Sequence, residues 1–437
     1  MAGLETLGWQ GLPEVVLRRL DALSPADFDY FNQVAIDVNR AGMEWYAQGR
    51  PDQAIGPTRD ALFIRRRLAT ADPDRFLPGL ATVLTNLSVY VFAAGQHQDA
   101  LRLAQEAVSV YRELAGSGAR VEEDLATALS NLSNRLSAVG RPLDALAAVE
   151  DAVRIRRSLA VGETDHEVPL AGALNNLCVR LIEVGRGAEA VVAGNEAVQL
   201  RRRIAERPGV RDGELAAALN NLGEAYAVLD EPEYALRATA EAVDEYRKLV
   251  DADRERYLGD LADTLSNLGS RWWRMNLPER AEPPVAEAIT IFQRLTDTSP
   301  RYLNDLATAL NNFGVYAAAQ GRVQEALGAA QVAVSITRDL AKANPRFLED
   351  LATTLNNLGV RLAEAGRLGE TLRPAQEAVA IRKTLAEALP DRYQADYIDA
   401  LTNLVNRLIE LGRHAEADRY RDEIQRTRDK HQRNQRG

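Results

Sequence analysis

Leu219-Asn220-Asn221-Leu222-Gly223 is the clearest copy of a phrase that returns eight times along the chain. It reads TNLSVY from Thr85, SNLSNR from Ser130, NNLCVR from Asn175 and NNLGEA from Asn220. It continues as SNLGSR from Ser266, NNFGVY from Asn311, NNLGVR from Asn356 and TNLVNR from Thr402. The second residue is Asn in every copy: Asn86, Asn131, Asn176, Asn221, Asn267, Asn312, Asn357 and Asn403, at steps of 45 or 46 residues. A fixed period of this length marks a stack of supersecondary units, none of which buries its apolar face alone. A degenerate ninth copy runs roughly from Phe31 to Asp74, with Arg40 at the Asn position and the turn kept as Ala47-Gln48-Gly49-Arg50.

Around the phrase, each unit reads as two helices. The first carries apolar residues at helical spacing, as in Leu125, Leu129, Leu132, Leu136 and Val139. A turn follows at Gly95, Gly140, Gly185, Gly321, Gly366 and Gly412, where glycine suits a helix end with positive φ. Two units carry Asp230 and Asn276 there, residues that tolerate the same conformation. The second helix opens on a small residue (Ala100, Ala145, Ala190, Ala235, Ala281, Ala326, Ala417, with Thr371 the departure) and repeats Glu-Ala-Val or close to it. Linkers of the form Arg-aromatic-Leu precede four first helices, at Arg75-Phe76, Arg256-Tyr257, Arg301-Tyr302 and Arg346-Phe347. Their aromatics are expected to fold onto the preceding helix pair, while linkers near Gly116, Gly162 and Gly209 lack them and should be looser. Pro57, Pro283, Pro284 and Pro374 fall early enough in second helices to be tolerated.

The reading is therefore an all-α solenoid of about nine antiparallel helix-turn-helix units with a 45-residue period. Units lie near 30–75, 76–120, 121–165, 166–210, 211–256, 257–301, 302–346, 347–392 and 393–417, together 30–417. Residues 1–29 form an N-terminal capping segment, and 418–437 a C-terminal capping helix end with a basic tail. Pro13 to Leu23 is expected as a short helix, Ser24 as an N-cap with Asp27 reaching back to it, and Leu7, Trp9 and Leu12 as cover for the first unit. The chain is expected to fray beyond about Arg428.

Composition narrows the function classes. The 437 residues carry a net charge of −10, against a general nucleic-acid binder, which needs a broad basic face. A single cysteine, Cys178, excludes an intramolecular disulfide; it takes the slot held by Gly223, Gly314 and Gly359, which suits a small buried residue. No run of about 18 apolar residues predicts a membrane span, and no leader is seen, so a cytoplasmic location is expected. The four histidines show no metal-ligand spacing, and neither a phosphate-binding Lys-Ser loop nor a nucleophile elbow occurs. No cofactor, metal or catalytic residue is expected.

The order Asn-Leu-Gly, turn Gly, early Ala and Glu-Ala resembles the tetratricopeptide repeat. Within that family it is similar to the kinesin-light-chain-like variant, through Leu219-Asn220-Asn221-Leu222, Ala281-Glu282-Pro283 and Ala378-Val379-Ala380-Ile381-Arg382. The 45-residue version resembles repeat arrays of large bacterial and fungal signalling proteins. The resemblance covers roughly residues 30 to 430 and implies a right-handed superhelical solenoid whose first helices line a concave groove for a protein or peptide. HEAT or armadillo repeats suit the period, but not the Asn-Leu-Gly and Ala placement.

On that face the recurrent asparagines, Asn131, Asn176, Asn221, Asn267, Asn312, Asn357 and Asn403 among them, either meet the backbone of an extended partner or bond the neighbouring unit; an amide can do both. Four residues further, one helical turn on, stand Arg135, Arg180, Arg271, Arg361 and Arg407, suited to carboxylates of an acidic partner. Glu183, Glu364 and Glu410 follow three of them and can neutralise them, which leaves Asn131/Arg135 and Asn267/Arg271/Arg274 the most electropositive spots. Trp272 sits where other units place leucine and is expected in the core; Trp273 takes a Ser137- or Ala363-like position and is expected to be accessible, beside arginines as at binding hot spots. The functional expectation is a non-catalytic interaction scaffold. Alternatives are a regulatory or sensor subunit for a separate effector, such as a protease or NTPase, and a self-assembling array.

Overall fold

The computed structural model describes residues 11–21, 23–161, 166–207 and 213–436. Among these, the regular structure is 19 α-helices and short 3₁₀ turns, with no strand. The expectations placed on Leu7, Trp9, Gly162 and Gly209 lie outside the described residues. The chain divides into two compact units, Met1–Asp230 and Glu231–Gly437.

In the first unit a short helix, α1 (Glu14–Asp21), precedes the pairs α2 (Phe28–Ala47) with α3 (Pro51–Ala71), α4 (Pro73–Ala93) with α5 (His97–Gly116), α6 (Glu122–Ala138) with α7 (Pro142–Leu159), and α8 (Glu167–Glu183) with α9 (Gly187–Ala205), then α10 (Glu214–Val228). The second unit begins with α11 (Pro232–Ala252). It continues with α12 (Arg254–Arg274) and α13 (Pro278–Thr296), α14 (Leu303–Ala319) and α15 (Val323–Ala343), α16 (Leu348–Glu364) and α17 (Leu372–Ala388), and α18 (Pro390–Glu410) and α19 (His414–Arg436). Within each unit every helix from α2 on packs on the next in sequence, and first helices also touch successive first helices: α2 to α4 to α6 to α8 to α10, and α12 to α14 to α16. Each unit is a helical solenoid, in which contacts are local.

The sequence dictates the hairpins at two points. The turn glycines sit at positive φ, 72° to 79° from Gly49 to Gly412, and Asp230 and Asn276 adopt 62° and 58° in the same place. The second point is the slot two residues after each recurrent Asn. A Cβ built on Gly269 would lie 2.3 Å from Val285 Cγ2 and 2.8 Å from the Ala281 carbonyl; one on Gly42 would lie 3.1 Å from the Ala54 carbonyl, and one on Gly314 3.2 Å from that of Ala326. The first helix therefore rests on the carbonyl of the early small residue of the second. Ser88, Ser133 and Cys178 fill that slot elsewhere and are fully buried. Burial raises the Cys178 thiol to about 12, so it stays protonated.

Phe76 and Tyr257 lie within the first turn of α4 and α12 rather than in linkers, while Tyr302 and Phe347 sit in 3₁₀ turns ahead of α14 and α16. Phe76 is buried and meets the Phe28 ring edge-on at 5.4 Å, and Tyr302 lies 6.4 Å from Phe292. Each preceding arginine covers its aromatic, at 5.0, 5.1, 4.5 and 4.5 Å in Arg75, Arg256, Arg301 and Arg346. Ser24 donates from its backbone and its hydroxyl to Asp27, at 3.3 and 2.7 Å. Helix α4 contains an 18-residue window of mean hydropathy 1.6, long and apolar enough to cross a membrane by composition, yet half of that window is buried in the core. Helix α19 runs to Arg436, with side-chain bonds such as Arg421–Asp418 and Gln425–Asp429 along it. One expectation differs. Trp272 is only half-buried, because its ring is covered by the Arg280 guanidinium at 5.1 Å instead of by the core.

Candidate functional site

Side-by-side first helices put the recurrent phrase in register from unit to unit. The amide of the second Asn reaches the first Asn of the preceding phrase: Asn221 Nδ2 donates to Asn175 Oδ1 at 3.0 Å, Asn357 to Asn311 at 2.8 Å and Asn403 to Asn356 at 2.8 Å. Asn131, Asn176, Asn267 and Asn312 occupy the equivalent half-buried position. An amide has two donors and two lone pairs, so one such bond does not exhaust the capacity of Asn357 or Asn403.

The arginines one turn on divide into two groups. Arg180, Arg361 and Arg407 are half-buried and pair with Glu183, Glu364 and Glu410 at 2.9, 3.2 and 2.7 Å. Arg361 also donates to the Gly314 carbonyl at 3.3 Å, and Glu183 accepts from Ser137 at 2.9 Å. Arg135 and Arg271 are buried, at 4% and 5% exposure, while Arg274 beside Trp273 is exposed. No described carboxylate pairs with Arg135; its guanidinium lies 4.0 Å over the Phe92 ring, and its Nε has no hydrogen-bond partner. Burial pushes it down to about 10, so it remains charged at neutral pH at a desolvation cost.

The structure adds Tyr46, Tyr90, Phe92 and Tyr316, aromatics that the sequence reading passed over, to Trp273, which it had placed. The residue six after the Asn position stacks on the residue four after it in the next unit. Tyr46 lies on Tyr90 at 4.7 Å, Phe92 under Arg135, and Trp273 on Tyr316 at 5.2 Å. Tyr46 and Trp273 are 38% and 36% exposed, so these stacks reach the surface of the wall. The signal was present: counting six residues from Arg40, Asn86 and Asn267 finds Tyr46, Phe92 and Trp273.

In the second unit the N-terminal halves of the first helices carry the opposite charge. Asp260, Asp263, Asp305 and Asp350 are all raised by desolvation, Asp263 to about 7 because Asp305 and Asp260 also face it. Asp263 is exposed at its surface, and protein surrounds it only at longer range. Among the described residues, no group of three or more His, Cys, Asp or Glu is arranged to hold a metal ion.

Four stretches, 80–119, 125–166, 306–345 and 351–389, match the model of the tetratricopeptide repeat. No curated protein matches the chain. Among solved structures, a Rap protein complexed with competence and sporulation factor is similar at a TM-score of 0.52 and 13% identity, covering 96% of this chain and 99% of that one. The apo form of RapI is similar at 0.51 and 14% identity, covering 70% and 99%. BtubC from P. vanneervenii is 22% identical at a TM-score of 0.45, over 55% of this chain and 90% of that one. Hairpins closed by positive-φ glycine and a small-residue slot beneath each first helix accompany these four stretches, which read as tetratricopeptide repeats.

Proposed function

We propose that this chain is a non-catalytic scaffold that holds a protein or peptide segment along its wall of first helices. The carrying observation is Arg135. A guanidinium 96% removed from solvent, resting on Phe92 and lacking a carboxylate among the described residues, is costly to fold around and becomes worthwhile when a partner supplies the anion. The neighbouring Tyr46–Tyr90 stack offers apolar contact beside that charge, the combination favoured at binding hot spots. The Asn rungs contribute their remaining amide groups to the partner backbone, and Arg271, Trp273 and Arg274 form the corresponding patch in the second unit. A cytoplasmic protein with acidic and aromatic residues in an extended segment is the partner chemistry this wall suits.

The test is an array of extended acidic-aromatic peptides, followed by fluorescence titration of those retained. Arg135→Met should weaken binding at least tenfold, as should Asn267→Ala combined with Arg271→Ala for peptides held by the second unit. Unchanged affinities with intact helicity would refute the wall as the binding surface. A regulatory form of the same reading, in which the bound segment controls an effector on another chain, is supported by likeness to a Rap-type fold that carries a bound factor. Co-purification of the chain with a protease or NTPase, lost on adding the peptide, separates that form from a passive scaffold.

A further inference from the structure

The second helices hold one position, eleven residues after the early small residue, that reaches between its own first helix and the next. It is occupied by Arg65, Tyr111, Arg156, Arg201, Tyr246, Phe292, Thr337 and Arg382. Most of its arginines have polar partners built into the fold. Arg382 Nη2 donates to Thr353 Oγ1 at 2.9 Å, and Arg382 pairs with Asp396 of the next first helix. Arg201 donates to Glu214 at 3.0 Å. Arg156 donates to Thr127 at 2.9 Å and feels Glu123.

Arg65 lacks both. The place of Thr127 and Thr353, 29 residues back, is Ile36, and the place of Asp396, 14 residues on, is Gly79. Asn32 Oδ1 takes one hydrogen bond from Nη1, but Nε has no partner, and no described carboxylate pairs with a guanidinium that is only 7% exposed. The Gly79 backbone lies flat against it: a Cβ there would come within 2.7 Å of Cζ. Arg65 forms part of the wall of a half-open cavity of about 290 Å3, with Ile36, Asn39, Arg40, Met43, Thr82 and Val83; Arg40 is exposed there and pairs with Asp37 at 3.4 Å. The Asn39 carbonyl oxygen is a second buried polar atom there without a partner.

We propose that this cavity binds a short aliphatic carboxylic acid, whose carboxylate supplies to Arg65 the anion that Glu214 and Asp396 supply to its counterparts. The guanidinium fork takes a carboxylate through two N–H groups, and the free Nε is one arm of that fork. Ile36, Met43 and Val83 give the acid an apolar sleeve, and the Asn39 oxygen accepts from a hydroxyl or amide group carried further along it. The cavity suits a free acid better than a polypeptide, since its size is that of one side chain or small metabolite. Such a site is separate from the scaffold role of the wall, because it needs no polypeptide partner and no contribution from Arg135.

The probe is hexanoate, titrated calorimetrically into the full chain, with hexylamine and hexanol as controls. Hexanoate is expected to bind with a Kd of about 1 mM and the two controls not at all. Arg65→Met should weaken hexanoate at least tenfold. Gly79→Asp, which supplies an internal carboxylate as the other units do, should do the same while keeping the arginine; Arg135→Met should leave hexanoate unchanged. No uptake by the natural chain at concentrations on the order of 10 mM, or an affinity in Arg65→Met and Gly79→Asp unchanged from that of the natural chain, overturns the proposal. An end-blocked pentapeptide with one central Glu carries the same chemistry. If it binds more tightly than hexanoate and loses that affinity with Arg65→Met, the occupant is a partner side chain and the small-acid assignment is overturned.

Discussion

Removing the Asp263 carboxylate should stabilise the second unit, and more so as pH rises. The position eleven after the early small residue explains why. Where Arg382 occupies it, the facing Asp396 is paired; its counterparts in two earlier repeats of the second unit are Phe292 and Thr337. The aspartates of those first helices have lost that cation, and Asp263 additionally faces Asp260 and Asp305. Its pKa rises from 3.8 to about 7, so the folded chain favours the protonated form. The unfolded chain releases the proton first. The penalty is absent below about pH 3.8, grows as pH climbs, and is complete above about pH 7. At about 1.36 kcal/mol for each pH unit, that rise sets a ceiling of about 4 kcal/mol. Asp263 is exposed, however, and solvent screening reduces the working figure to about 1–2 kcal/mol at most. Thermal unfolding of Asp263→Asn against the natural chain, at pH 4.5 and pH 8, isolates this group from the other acids. The substitution should be nearly neutral at pH 4.5 and raise the midpoint at pH 8 by roughly 2–4 °C for each kcal/mol. A variant whose advantage at pH 8 is no larger than at pH 4.5 would refute the account of Asp263 as a desolvated, mutually repelled carboxylate.

Three further perturbations follow from the same geometry. Gly269→Ala drives a methyl against Val285 and the Ala281 carbonyl and should cost about 1–3 kcal/mol, whereas Gly328→Ala, with open space around it in α15, should gain about 0.5–1 kcal/mol; urea unfolding of the two variants should show opposite signs. Asn357→Ala removes the 2.8 Å bond to Asn311 and should lower stability by about 1 kcal/mol, with hydrogen exchange quickening in α14 and α16 before other helices. Trp273→Ala exposes Tyr316, its stacking partner at 5.2 Å; the melting point should shift little, and intrinsic fluorescence should lose its response to a peptide bound by the second unit.

The fold was legible in the sequence because a repeat reports its own structure many times. Positive-φ turns at Gly95 or Gly412 need a residue without a Cβ penalty, so the requirement shows in composition and survives at Asp230 and Asn276 as the next tolerant residues. The slot two after Asn is small in eight of its nine copies for the same reason: the second helix carbonyl lies beneath it. The wall was only partly legible. The short-range pairs of Arg180 with Glu183 and Arg407 with Glu410 lie within one helical turn, and spacing reveals them. The stack of Phe92 under Arg135 joins residues 43 apart in sequence, and depends on how far one first helix slides along the next. No local pattern encodes that offset, which the packed helices set.

That distinction bears on where function resides in such a chain. In a repeat, residues common to every unit answer to the fold, and the Asn rungs illustrate it: at three junctions they bond the preceding unit. Residues that break the pattern are free of that duty. Arg65 is held in a position whose usual partners have become Ile36 and Gly79, and Arg135 in one whose usual Glu three residues on has become Ala138. Each leaves a buried guanidinium without a described carboxylate, a state that costs several kcal/mol unless an anion arrives from outside. An uncharged residue at either position would relieve that penalty. Two such arginines in the first unit, each beside apolar surface, are better explained by ligands that complete them than by packing alone.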